Sequence, residues 1–232
     1  MTRDGKLSRY RALRAISKHQ QNEALNLVSP TTMMEHARRL GLAHGRQIIV
    51  EDPDDMTLAC DLAVHSSTGG RSRAIDRFAS KHPYPEGSDE ALVLAAARRA
   101  QFTLWVVERR HDVLGLHIAD ACTDQCHWLI DEGLEASARP GTLFASRLVV
   151  VDDFVMTTGA VVPVDEMMVE DALESLPSRS TASLEAFVRD PRFALAMFRS
   201  AIHTGAMNDV RFIDAGSESL VEAMRGSGAR SD

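Results

Sequence analysis

The spacing of apolar positions changes twice along this chain, and those two changes divide it into three stretches. Up to about residue 100 the period is helical, from 101 to 165 it is that of β-strands, and beyond 165 it is helical again. In the first stretch Leu13, Ile16, Ala24 and Leu25 recur at loose helical spacing through Lys6–Leu27. Thr32 and Glu35 fit a capping box, Met33, Met34, Ala37 and Leu40 form the stripe that follows, and Gly41 stands where a left-handed helix cap belongs. A short apolar run, 47–50, reads as a strand and Asp52–Asp55 as a turn. Asp54 or Asp55 would cap a helix buried through Leu58, Ala59, Leu62 and Ala63. Further helices are expected over Arg73–Lys81, stopped by His82-Pro83, and over the alanine-rich Glu90–Ala100.

The middle stretch predicts five short strands: Phe102–Arg109, Leu114–Ala121, Cys126–Asp131, Leu143–Val151 and Phe154–Val164. Both faces of the first are apolar, so it should be covered on both sides. Gly133–Gly141 reads as a loop, Asp152-Asp153 as a tight turn, and Gly159 as a bulge within the last strand. After Asp165, Met168, Ala172, Leu173 and Leu176 share a helical face. A helix is expected over Thr181–Val188. Asp190-Pro191 opens another, striped by Phe193, Met197, Ala201 and Ile202 and ended by Gly205. Ser217–Arg225 reads as a short helix and Gly226–Asp232 as a disordered tail. The expected architecture is α+β: a helical part (1–100), a central five-stranded small β-barrel-like sheet (101–165) and a helical part (166–225).

Three motif groups resemble an uncharacterised bacterial protein family with no assigned activity. They are Arg9-Tyr10-Arg11-Ala12-Leu13-Arg14 with Arg39-Leu40-Gly41-Leu42; Trp128-Leu129-Ile130-Asp131; and the run from Pro140 to Leu148 with Phe154 to Pro163. The resemblance spans roughly 9–165. It implies a bacterial, cytoplasmic protein and transfers no catalytic residue.

Composition narrows the classes. A net charge of −7 over 232 residues disfavours a globally basic nucleic-acid binder. No run reaches the length needed to cross a bilayer, so no membrane partner is expected. Three cysteines are too few for a disulfide framework and fit a reducing cytoplasm.

Against this background a few residues invite chemistry. Ser67, Thr68, Arg71 and Arg73, in the glycine-containing segment Ser66–Arg73, form a candidate anion-binding loop of hydroxyls and cations that lacks the Lys-Ser/Thr ending of a P-loop. Residues 1–20 carry an excess of five positive charges, with Arg9, Arg11, Arg14 and Lys18 as candidate nucleic-acid contacts. The bland reading of that collar is pairing with the protein's own acids. Glu51, Asp52, Asp54, Asp55 and Asp61 offer hard oxygens for Mg²⁺, but an acidic turn before a helix is also what capping favours. Cys122, Cys126 and His127 lack the second pair a zinc site requires. No catalytic constellation, metal site or cofactor motif is complete. The expected role is a non-catalytic cytoplasmic binding or regulatory protein, with a protein partner first, and nucleic acid or a second copy of the chain next. The alternatives are a metal- or phosphate-dependent enzyme, which needs the acidic turn and the Ser66–Arg73 loop in one pocket, and a nucleic-acid-binding regulator.

Overall fold

The computed structural model describes residues 2–50, 52–67, 70–176 and 184–209. Glu51, Thr68, Gly69 and the reading of Ser217–Asp232 lie outside them. In chain order the elements are α1 (Arg3–Asn26), α2 (Pro30–Leu40), β1 (Ala43–His44), β2 (Gln47–Ile48), α3 (Pro53–His65), α4 (Ala74–Lys81), α5 (Asp89–Arg99), β3 (Gln101–Arg110), β4 (Leu116–Asp120), β5 (Cys126–Leu129), α6 (Glu132–Ser137), β6 (Leu143–Val151), β7 (Phe154–Val164), α7 (Glu166–Glu174), α8 (Leu184–Val188) and α9 (Pro191–Thr204). The class is α+β, with a helical N-terminal part.

The five long strands run in the order β3-β4-β5-β7-β6 and close on themselves. Three antiparallel ladders and the long β6–β7 hairpin supply most of the pairing. The remaining join, β5 to β7, is a short parallel contact at Leu129 and Val155, reinforced by the Ile130 amide donating to the Val155 carbonyl (3.0 Å). Alternation along β6 shows why these residues make such a sheet. Phe144, Ser146 and Leu148 turn inward, with the Trp105 indole N–H donating to Ser146 Oγ (2.9 Å); Ala145, Arg147 and Val149 turn toward the helices. The interior is filled by Trp105, Ile118, Leu129, Phe144 and Val161, and α6 plugs it with Leu134.

Helices cover the outward faces of the sheet on two sides, as the apolar faces of β3 require. On one side Phe102, Leu104, Ala145 and Val162 join a cluster with α2, α3, α7 and α9. On the other, Val149, Phe154 and Met156 meet Tyr10 and Leu13 of α1 and Val93 and Ala96 of α5.

Several local readings are corrected. The cap of α2 is Ser29, whose Oγ accepts the Thr32 amide (3.2 Å), with Pro30 at the first helical position; Thr32 lies inside the helix. Asp52 caps α3, not Asp54 or Asp55. The stretch 133–141 is not all loop: Asp131 accepts the Leu134 amide and starts α6. The bulge is where Gly159 sits: pairing advances two residues along β6, from Ser146 to Leu148, and four along β7, from Val161 to Thr157. Gly159 takes φ +115° there, a region closed to most side chains.

Candidate anion-binding cleft

α1 lies across the sheet, and its cations meet carboxylates there. Arg9 donates to Asp89 (2.5 Å) and Asp152 (2.8 Å), and those hydrogen bonds push its pKa up. Arg11 pairs with both oxygens of Glu132 (2.6 and 3.1 Å), Arg3 with Glu135 (3.1 Å), and Lys6 with Asp153. Arg14 donates to the Thr157 carbonyl (2.6 Å) at the bulge, and Lys18 also takes part in an interaction. The basic collar is spent on holding α1 to the β6–β7 turn and to α6. A phosphate backbone would have to displace these carboxylates first.

The acidic turn and the Ser66–Arg73 loop sit at opposite ends of α3. Thirteen residues at 1.5 Å rise put them about 20 Å apart. The enzyme alternative needed them in one pocket, and the helix between them keeps them out of it. Asp52 is used as a cap, and Asp54 is pushed up by burial and then by Asp52. Within the loop, Arg73 donates to both oxygens of Asp76 (2.7 and 3.1 Å) and to the Arg98 carbonyl (2.8 Å). Burial opposes ionisation of Asp76, yet Arg73 and Arg98 hold it below the ordinary carboxylate value. Ser67 and Arg71 remain exposed, and Thr68 lies outside the described residues. Cys126 and His127 fall on successive positions of β5, opposite Ala119 and Ile118. Among the described residues no group of three or more metal-ligating side chains comes together.

Asp61 does something else entirely. Its carboxylate accepts Arg147 Nε (2.8 Å) and Thr158 Oγ1 (3.0 Å), with the two charged side chains 3% and 9% exposed. The trio braces α3 against the β6–β7 bulge. One turn on, His65 is buried with neither ring nitrogen hydrogen-bonded, and burial pushes it down to about 4. Arg147 and Arg73 add to that depression and Asp61 opposes it.

Among the described residues, Arg38, Arg39 and Arg199 make no ion pair. α2 buries His36, Ala37 and Leu40, and α9 buries Ala194, Met197, Phe198 and Ala201, so the helices meet through these apolar rows. Arg38 and Arg39 flank the α2 row; Leu195 and Arg199, one turn apart, flank the α9 row. With Gly41 they line an open cleft of about 320 Å³. No carboxylate is among the lining residues. Arg38 donates to the Gly45 carbonyl (3.1 Å), tying the exposed β1–β2 turn to the rim. Among the described residues no carboxylate lies within ion-pair reach of Arg39 or Arg199. The Arg39 charge is felt inside the protein: His36 is lowered first by burial and then by Arg39.

This cleft was not a candidate in the sequence. Arg39 and Gly41 belong to one of the motif groups quoted above, but the wall they face comes from residues 195–199, some 155 positions away. The family whose description reads "family of unknown function (DUF7986)" matches residues 4–182. That is an uncharacterised family, as the motifs imply, and the match extends beyond 9–165 at both ends. α9 lies outside the matched span. No curated protein and no solved structure matches the chain.

Proposed function

We propose that this chain, which belongs to the family of unknown function DUF7986, is a non-catalytic binding protein that takes an anionic ligand in the cleft between α2 and α9. The observation carrying this reading is the contrast in pairing. The cations of α1 meet carboxylates or carbonyls of the fold, whereas Arg39 and Arg199 face solvent together and meet none. Guanidinium groups are the side chains best suited to fixing an oxyanion, because their planar forks give two parallel hydrogen bonds. Helix-dipole complementation accounts for Arg38 and Arg39 in the last turn of α2, but not for Arg199, which lines the same cleft from α9.

The role fits a regulator or carrier, since the buried ion pair of Asp61 and Arg147 is used to brace α3 against the β6–β7 bulge. A bacterial cytoplasm is the place the family resemblance and the three cysteines support. No helix among the described residues is long and apolar enough to cross a membrane. An apolar docking patch for a protein partner finds less support. The large exposed apolar side chains are Ile49 just after β2, Val150 on β6 and Met167 on α7, while Met168 is buried and Met33 packs on the core.

The test is a thermal-shift series with sulfate, inorganic phosphate and citrate at low ionic strength. A ligand present at a hundredfold excess over its Kd stabilises by about 2.7 kcal/mol, or roughly 5–10 °C for a chain of this size. The wild type should respond to at least one anion, and the Arg39→Ala/Arg199→Ala double variant should not. Equal responses from both proteins would remove the cleft from consideration.

A further inference from the structure

We infer that the ligand of this cleft is a compact phosphorylated small molecule, held by its terminal phosphoryl group and not by an attached base. The inference rests on reading the cleft as an anion site, and it concerns which anion.

Three arginines line the cleft from two helices, and one of them, Arg38, also donates to the Gly45 carbonyl. Arg38 and Arg39 are consecutive, so they leave α2 about 100° apart around its axis, and Arg199 comes from the facing helix. A carboxylate has two oxygens and one charge, and a single bidentate fork saturates it. A terminal phosphoryl group offers three oxygens and a charge of about −1.5 to −2, which suits three forks approaching from different sides. The end of α2 works against an anion through a partial charge of roughly −0.5. Three cations outweigh it, and the carbonyls of Ala37 and Arg38 are already capped by the Leu42 and Gly41 amides (2.8 and 3.1 Å). Gly41 itself has no side chain, takes φ +84°, and has nothing within 4 Å of where a Cβ would stand, so the floor is open to a ligand.

Size and wall chemistry set the rest. About 320 Å³ is at the small end of metabolite sites. Leu195 is the one apolar side chain among the lining residues, and no aromatic ring lines the cleft. A nucleobase gains its affinity from stacking on such rings, so here it would project into water and add little.

Isothermal titration of the full chain at low ionic strength tests this with glycerol phosphate, pyrophosphate, adenosine monophosphate and citrate. Glycerol phosphate and pyrophosphate should bind at least tenfold more tightly than citrate, and adenosine monophosphate no more tightly than glycerol phosphate. Arg39→Lys and Arg199→Lys keep the charge but lose the fork, and each should weaken phosphate-ester binding by roughly tenfold with an unchanged melting curve. Citrate binding as tightly as the phosphates, with the same dependence on Arg39 and Arg199, would overturn the phosphoryl assignment and leave the anion cleft standing. So would a tenfold preference for the nucleotide over glycerol phosphate. No arginine-dependent binding of any of the four would overturn the cleft reading itself.

Discussion

The basic collar of α1 and the arginine cleft between α2 and α9 carry the same kind of side chain and have opposite fates. The collar is the denser in sequence, with six cations in its first 18 residues. It is also the one consumed by the fold. The acids it meets are present for local reasons: Glu132 and Glu135 lie in the first turn of α6, where the helix dipole favours them, and Asp152 takes the left-handed conformation (φ +48°) of a two-residue hairpin turn. α1 crosses both places and neutralises them. Arg39 and Arg199 line the cleft where two helices meet through apolar rows, and among the described residues neither makes an ion pair, although Glu35 stands one turn before Arg39 on α2. The linear density of charge therefore does not show which cations the fold leaves outside ion pairs. What matters is which charges the tertiary contacts leave unanswered.

The contrast can be strained first at its extreme, the pair that is both buried and answered. Asp61→Ala would strand the Arg147 guanidinium in the interior, and losing one partner of a buried pair costs about 3–5 kcal/mol. Urea denaturation should show that loss, and a cost below about 1 kcal/mol would mean that the brace is not holding the bulge.

Next in size is a charge the fold refuses. His65 titrates near 4 when folded, below the 6.5 of a free imidazole. The unfolded chain binds more protons between those values, so the His65 contribution is fully present above pH 6.5 and is lost as pH falls toward 4, by about 3 kcal/mol. His65→Leu should flatten that part of the stability curve. An unchanged slope between pH 6.5 and 4 would show that the imidazole is not the group responsible.

The smallest effect separates the two basic regions directly. Arg9→Ala removes a half-buried cation shared by two carboxylates and should cost about 1 kcal/mol or less, an effect that 1 M salt suppresses. It should leave anion binding intact. Arg39→Ala and Arg199→Ala should do the reverse, with stability within about 0.5 kcal/mol of wild type and the anion response gone. If Arg9→Ala weakened anion binding as much as Arg39→Ala, the distinction between answered and unanswered cations would fail.

Much of this was legible beforehand because its causes are local. The cap of α9 needs only Asp190 and Pro191, its end needs only Gly205, and the ranges of β6 and β7 follow from the apolar, β-branched runs on either side of the Asp152-Asp153 turn. Errors arose where local signals competed. Ser29-Pro30 and Thr32-Glu35 are both valid helix starts, and the earlier one prevails because proline is already preorganised at the first helical position. α6 was hidden by Gly133 and by its length of six residues, although Asp131 marks its start as clearly as Asp190 marks α9.

The chain's own residue order settled where helices and strands begin and end and which of their faces turn inward, since caps, turns and periodicity act over a few residues. Tertiary structure alone decided the partners: that Asp61 answers Arg147 across 86 positions, that α1 cations are claimed by α5, α6 and the β6–β7 hairpin, and that Arg39 and Arg199 line one cleft. Ionic and cleft-forming contacts depend on distance in space, and in one dimension a residue 160 positions away looks no closer than any other.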